Sequence, residues 1–227
     1  MMTLAASVGI EVPEHTLVRR GDLEGLPEHV WLGSEELAYA VRRFDRGENR
    51  TPIHIEDFAQ VRNFYPHAGQ KYQGSFETVA ALVYRRRDLE GLYEFVRRLT
   101  FNILISNGDA HLKNWSLIYH DPRIPTLSPV YDLVSTAFYQ TGDSPEDLGL
   151  RFDRTRRFDQ VKVDGFARLE KKLGVIGADL AGCALHTIER VVAAWPAVAG
   201  LLDANPRLRD SVAQSIQQRR RTLLRSV

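Results

Sequence analysis

The chain has 227 residues, 44% hydrophobic and 26% charged, with a formal net charge of +1, the proportions of a globular protein with one large domain or two small lobes. So balanced a charge supplies no bulk field for nucleic acid or an anionic membrane. Its one cysteine, Cys183, excludes an internal disulfide and reads as a small apolar filler in a helix. No apolar run reaches the ~18 residues of a membrane span, and "MMTLAASVGIEVPEH" lacks the basic and apolar regions of a signal peptide, so the expected compartment is the cytoplasm.

In chain order, residues 1–9 read as the last turns of a helix ended by Gly9. "HTLVRR" (15–20) and "LAYAVRRF" (37–44) read as two strands joined by the polar loop "GDLEGLPEHVWLGSEE". "HIEDFAQVRNF" (54–64) starts a helical pattern, and "FETVAALVYRRR" (76–87) is a second short helix. Leu89, Leu92, Phe95, Val96, Leu99 and Ile103 then recur at helical spacing, the core face of a long helix ending near Ser106. "NWSLIY" (114–119) and "TLSPVYD" (126–132) flank "HDPRIP", whose Asp-Pro and Ile-Pro pairs mark the turn of a β-hairpin. "LGLRF" (148–152) is a further extended run after a polar loop, and the last third is helical, punctuated by Gly174 and Pro196. The basic runs "RRRD" (85–88) and "QQRRRTLLR" (217–225) read as solvated helix faces.

Between the long helix and the hairpin lies "NGDAHLKN" (107–114), which packs an acid, an imidazole, an ammonium and an amide between two apolar runs. A turn centred near residue 123 pairs residues whose numbers sum to 246, which sets Asn114 opposite Asp132. An amide oxygen and a carboxylate at one hairpin end suit Mg²⁺, which fills its other positions with water and phosphate oxygens. Asp109, five residues before Asn114, is placed to take the proton of an attacking hydroxyl. Acid, four residues, amide, then a distant acid is the catalytic order of protein kinases. Lys113 can bring positive charge to a transferred phosphoryl group, and His111 can fix the loop. A bare hairpin turn on Asn107-Gly108 explains only two of these residues.

"FNILISNGDAHLKNWSLIY" followed by "LSPVYDLVST" resembles the HipA toxin kinases, bacterial serine/threonine kinases of type II toxin–antitoxin modules. "AYAVRRFDR" (38–46), "IHIEDFAQ" (53–60), "KYQG" (71–74) and "FDQVKVDGFARLEKKLG" (158–174) agree in order, so the resemblance covers nearly the whole chain. It implies an α+β, protein-kinase-like fold: 1–46 a truncated N-lobe with the hinge, 47–227 a helical C-lobe carrying the catalytic loop, hairpin and metal site. It implies ATP and Mg²⁺ as cofactors, Asp109 as base, and Asn114 and Asp132 on the metal. His111 and Lys113 would sit beside the phosphates, and the backbone of Arg42, Arg43 and Phe44 would meet adenine. The implied partners are a protein of translation such as an aminoacyl-tRNA synthetase, and a DNA-binding antitoxin.

The family also has a Gly-rich phosphate loop and a strand lysine, and this chain is expected to begin after both. Its lysines are Lys71, Lys113, Lys162, Lys171 and Lys172, none on an early strand. The expectation is therefore weak or no activity alone, with either a separately encoded N-terminal segment as a partner or an upstream segment of the same protein that this sequence does not include. Two other readings stay open: a non-catalytic binding module, and a small-molecule phosphotransferase, because aminoglycoside and choline kinases carry a similar "GDxHxxN" loop.

Overall fold

The computed structural model describes residues 1–25, 27–31, 33–65, 67–85, 87–139 and 147–225. The polar loop expected before "LGLRF", Arg86 of "RRRD" and the last two residues of the C-terminal helical run lie outside them.

A short helix α1 (Met2–Ser7) is followed by Gly9 at φ 80°, a left-handed position that glycine takes without strain. Strands β1 (His15–Arg19) and β2 (Leu37–Val41) form a separate antiparallel ribbon in which Leu17 faces Tyr39. The stretch read as the start of a helix is instead strand β3 (His54–Asp57) leading into one turn of helix, α2 (Phe58–Val61). Asp57 makes the change: it ends the strand and caps the helix, accepting from Gln60 N while Gln60 Oε1 accepts from Asp57 N.

Helix α3 (Phe76–Tyr84) starts at Ser75, whose hydroxyl accepts from Thr78 N. Helix α4 (Leu89–Leu104) starts at Asp88, which accepts from Gly91 N. The face predicted for α4 is the buried one: Leu92, Phe95, Val96, Leu99 and Ile103 are fully enclosed, and only Leu89, in the first turn, is exposed. Its second half is buried all round, because α4 runs through the centre of the helical body. Each large apolar side chain so enclosed contributes about 1.5–3 kcal/mol.

Strands β4 (Ser116–Asp121) and β5 (Ile124–Leu127) form the hairpin, and β3 adds to the other edge of β4. The register differs from expectation. Leu117 faces Leu127 and Ile118 faces Thr126, pairs that sum to 244: the turn closes on Pro122 and Arg123, which pairs Asp121 with Ile124 at a sum of 245, and a register shift between Ile118 and Asp121 takes off one more. A shift of two in that sum moves the partner by two residues and so keeps each side chain on its face. Trp115, just before β4, lies between Phe76 of α3 and Phe95 of α4 and locks the hairpin to the helices.

Strands β6 (Asp147–Phe152) and β7 (Thr155–Arg157) form a second hairpin. Helices α5 (Asp164–Leu173), α6 (Leu180–Ala199) and α7 (Pro206–Leu223) complete the body, with α6 and α7 packed on α4. Gly174 ends α5 at φ 68°, as the sequence reading placed it. Pro196 does not end its helix but lies inside α6, in the last turn before Gly200. There the proline, which has no N–H to donate back to Val192, costs one helical hydrogen bond in the helix's last turn. Among the described residues no helix is long and apolar enough to cross a membrane.

Candidate active site

The loop after α4 is shaped by a ladder of amides. Asn102 Nδ2 donates to Arg98 O at 2.8 Å, Asn107 Nδ2 to Asn102 Oδ1 at 2.7 Å, and Asp109 N to Asn107 Oδ1 at 3.1 Å. Ser106 turns the chain with φ 52°, and its carbonyl accepts from Thr136 Oγ1, which in turn accepts from Gly108 N at 2.8 Å. Asn107 and Ser106 are buried, so their polar groups demand these partners. The loop then makes one 3-10 turn, Leu112–Asn114, and enters β4.

Asn114 gathers the site. Its Nδ2 donates to the backbone oxygen of Asp109 at 3.1 Å and to Asp132 Oδ2 at 2.9 Å. Asn114 and Asp132 therefore meet, but not as opposed residues of a ladder. Both lie beyond the strand ends, and Asp132 reaches inward from a left-handed backbone, φ 57°, a conformation that aspartate tolerates better than most residues. Among the described residues neither Asn114 Oδ1 nor Asp132 Oδ1 has a hydrogen-bond partner.

Two tyrosines absent from the expected set complete the arrangement. Tyr72 donates from its hydroxyl to Asp109 Oδ1 at 2.6 Å, and its ring meets His111 edge-on at 5.2 Å. Burial, and then the Asp109 carboxylate, push the Tyr72 phenol up to about 12, so it stays a donor. Tyr131 donates to the backbone oxygen of Lys113 at 2.8 Å and pairs with Ser116 Oγ at 2.5 Å, and burial pushes its phenol up to about 12. The sequence held "KYQG" but no signal that Tyr72 crosses to the loop, because that contact exists only after folding. Tyr131 is adjacent to Asp132, and adjacency alone marks no role.

His111 is buried, with Nε2 3.7 Å from Asp109 Oδ1. Burial lowers its pKa from 6.5 against the opposing pull of Asp109, leaving a neutral ring. Its Nδ1 is enclosed without a hydrogen bond among the described residues. Lys113 is exposed at the loop surface. Arg42 and Arg43 send their side chains elsewhere, Arg42 to Glu14 at 3.1 Å and Arg43 to both oxygens of Asp45. Arg42, Arg43 and Phe44 line a pocket of about 330 Å³ together with Ile55, Gln60 and Tyr131. The Phe44 ring stacks on Tyr131 at 5.9 Å and 29°, which links that pocket to the loop.

No group of three or more His, Cys, Asp or Glu among the described residues is placed to enclose a metal. The donor set is one amide and one carboxylate with free oxygens. Such a set suits a hard cation that keeps waters and takes phosphate oxygens.

Comparison with known proteins identifies the family and the fold. The family model of the HipA-like C-terminal domain matches residues 1–196, and the chain belongs to that family. It is 41% identical over 201 residues to Y4dM of Sinorhizobium fredii, a protein named provisionally as a kinase, covering 87% of this chain and 47% of that one. A Haemophilus influenzae protein also named provisionally as a kinase is 31% identical over 145 residues, 61% of this chain and 40% of its own. The chain thus spans about half the length of the curated relatives it matches.

Among solved structures, HipA of Shewanella oneidensis, in a complex with HipB and operator DNA, superposes with a TM-score of 0.74 at 23% identity. That match covers 97% of this chain and 54% of HipA. The Helicobacter pylori proinflammatory kinase CtkA superposes with a TM-score of 0.54 at 13% identity, covering 98% of this chain and 81% of CtkA. The α+β fold is therefore similar to that of HipA and of a kinase.

Proposed function

We propose that this chain is the catalytic portion of a HipA-type serine/threonine protein kinase that transfers the γ-phosphoryl group of ATP. One observation carries the reading: the Asn114 amide holds Asp109 and Asp132, 23 positions apart in sequence, at one place. Asn114 Oδ1 and Asp132 would hold Mg²⁺. When bound, Mg²⁺ neutralises charge on the triphosphate during transfer.

Asp109 accepts the proton of the attacking hydroxyl as its oxygen bonds to phosphorus and the bond to ADP breaks. Tyr72 occupies Oδ1 of Asp109, which leaves Oδ2 for that hydroxyl. His111, neutral and buried, fixes the loop, and exposed Lys113 faces incoming negative charge. Adenine would lie in the Tyr131 pocket against the backbone of Arg42, Arg43 and Phe44. In this reading residues 1–46 are N-lobe with the hinge, and 47–227 the C-lobe.

A DNA-binding antitoxin partner is supported by the HipA–HipB–DNA complex that the fold resembles, and a protein of translation is the proposed substrate class.

The test is phosphate transfer from labelled ATP to protein and to small acceptors, with Asp109→Asn as the control. Transfer to protein that Asp109→Asn abolishes, with unchanged melting, supports the reading. Transfer only to a sugar or amine, or an unaffected Asp109→Asn, overturns it.

A further inference from the structure

Four arginines line one pocket at the hinge, none of them part of the Asp109 loop. Arg42, Arg43, Arg46 and Arg50, with Gly47, line a pocket of about 450 Å³. Its architecture is built rather than incidental. Asp45 is buried at 8% exposure and ties two of the four: Arg43 binds both of its oxygens, and Arg46 Nη1 binds Oδ2 at 2.8 Å and the backbone oxygen at 2.7 Å.

The segment carrying the other end of the pocket is a tight turn. Gly47 N donates to Thr51 O, Thr51 Oγ1 to Glu48 O, and Arg46 bridges to Pro52. Within it Asn49 and Arg50 are both left-handed, φ 54° and 60°. Consecutive left-handed residues that are not glycine are sparsely populated and persist where the surroundings impose them. Here they bring Arg50 round to the pocket formed by Arg42, Arg43 and Arg46.

The charge is not cancelled. Asp45 and Glu14 offset two positive groups, and Glu48, in the same turn, does not line the pocket. Arg50 makes no ion pair with a described residue. The result is a concave site with an excess of positive charge on arginines, the residue whose planar fork matches phosphate oxygens two at a time.

We infer that this pocket, which shares Arg42 and Arg43 with the proposed adenine pocket and extends from them to Arg46 and Arg50, is a second anion site that takes the phosphate of a phosphorylated serine or threonine on a polypeptide. A single dianion suits a pocket lined by several arginines. Nucleic acid presents a row of phosphates and needs a basic stripe, whereas these four arginines line one pocket.

The probe is a fluorescent peptide with one phosphoserine among small neutral residues, measured by anisotropy beside its unphosphorylated twin and a short DNA duplex. The inference expects saturable binding of the phosphopeptide alone. Arg50→Gln should weaken it at least tenfold, and Arg50→Lys should weaken it less. Because Arg50 is exposed and holds nothing in place, both variants should melt like the parent. ATP affinity, measured on the same variants, should not move, and Asp132→Ala should leave phosphopeptide binding intact. An outcome with no ATP binding but Arg50-dependent phosphopeptide binding would fail the kinase reading and keep this one. Absent phosphopeptide binding, equal binding by Arg50→Gln, or tighter binding of the duplex would overturn it.

Discussion

Tyr72 and Asp109 are 37 residues apart and joined by a 2.6 Å hydrogen bond from phenol to carboxylate. The bond orients Asp109 and engages one of its two carboxylate oxygens, Oδ1. Tyr72→Phe keeps the ring against His111 and removes only the donor. A hydrogen bond to a charged acceptor, partly exposed as this one is, contributes about 1 kcal/mol, so kcat should fall ~5-fold with KM for ATP unchanged. Steady-state kinetics check this. The phenol's rise to about 12 means that the bond persists through neutral and mildly alkaline pH. A tyrosinate absorbance titration should show Tyr72 among the last to ionise and should lose that late step in the variant.

Gly149 of β6 lies against the loop backbone. A Cβ there would meet the carbonyl carbon and oxygen of Ala110, each at 2.7 Å. Backbone cannot move aside as a side-chain tip can. Gly149→Ala should cost about 1–3 kcal/mol in a urea melt and weaken transfer more than a substitution of equal cost far from the loop.

Acid should loosen the helical body through Glu94. Burial alone would raise its pKa, but the charge and hydrogen bond of Arg98, with Arg97 and the Glu11 amide, hold it below the ordinary 4.5. A carboxyl depressed in the folded state contributes its full stability above the unfolded value and loses it as pH falls through the folded one. Stability should therefore drop as pH falls below about 4.5, and Glu94→Gln should flatten that drop. The same variant should cost about 3–5 kcal/mol at neutral pH, because it leaves Arg98, 2% exposed, without its counter-charge. Denaturant melts across pH measure both effects.

The sequence was most legible where local pattern decides structure. The spacing from Leu89 to Ile103 gave α4 and its buried face, and the Pro-bearing "HDPRIP" gave the hairpin. It was least legible where the outcome depends on a partner element. "HIED" is a strand because β4 offers an edge, and Pro196 is tolerated because helix continues for only one more turn. Asn114 and Asp132 were placed together by a register that proved two residues off in its sum. They meet through a 3-10 turn and a left-handed aspartate, neither of which periodicity encodes. Tyr72, Tyr131 and the Asn102–Asn107 ladder carried no spacing signal, since each acts through contacts made only in the folded chain.

The central claim is that Asn114 and Asp132 present a shared oxygen site to a metal-bound triphosphate. Calorimetry of ATP binding, with Mg²⁺ and then with chelator, on the parent chain and Asp132→Ala tests it most directly. The account predicts Mg²⁺-dependent binding that weakens by roughly tenfold or more, about 1.4 kcal/mol, in the variant, with melting unchanged. ATP affinity indifferent to both the metal and Asp132 would contradict it.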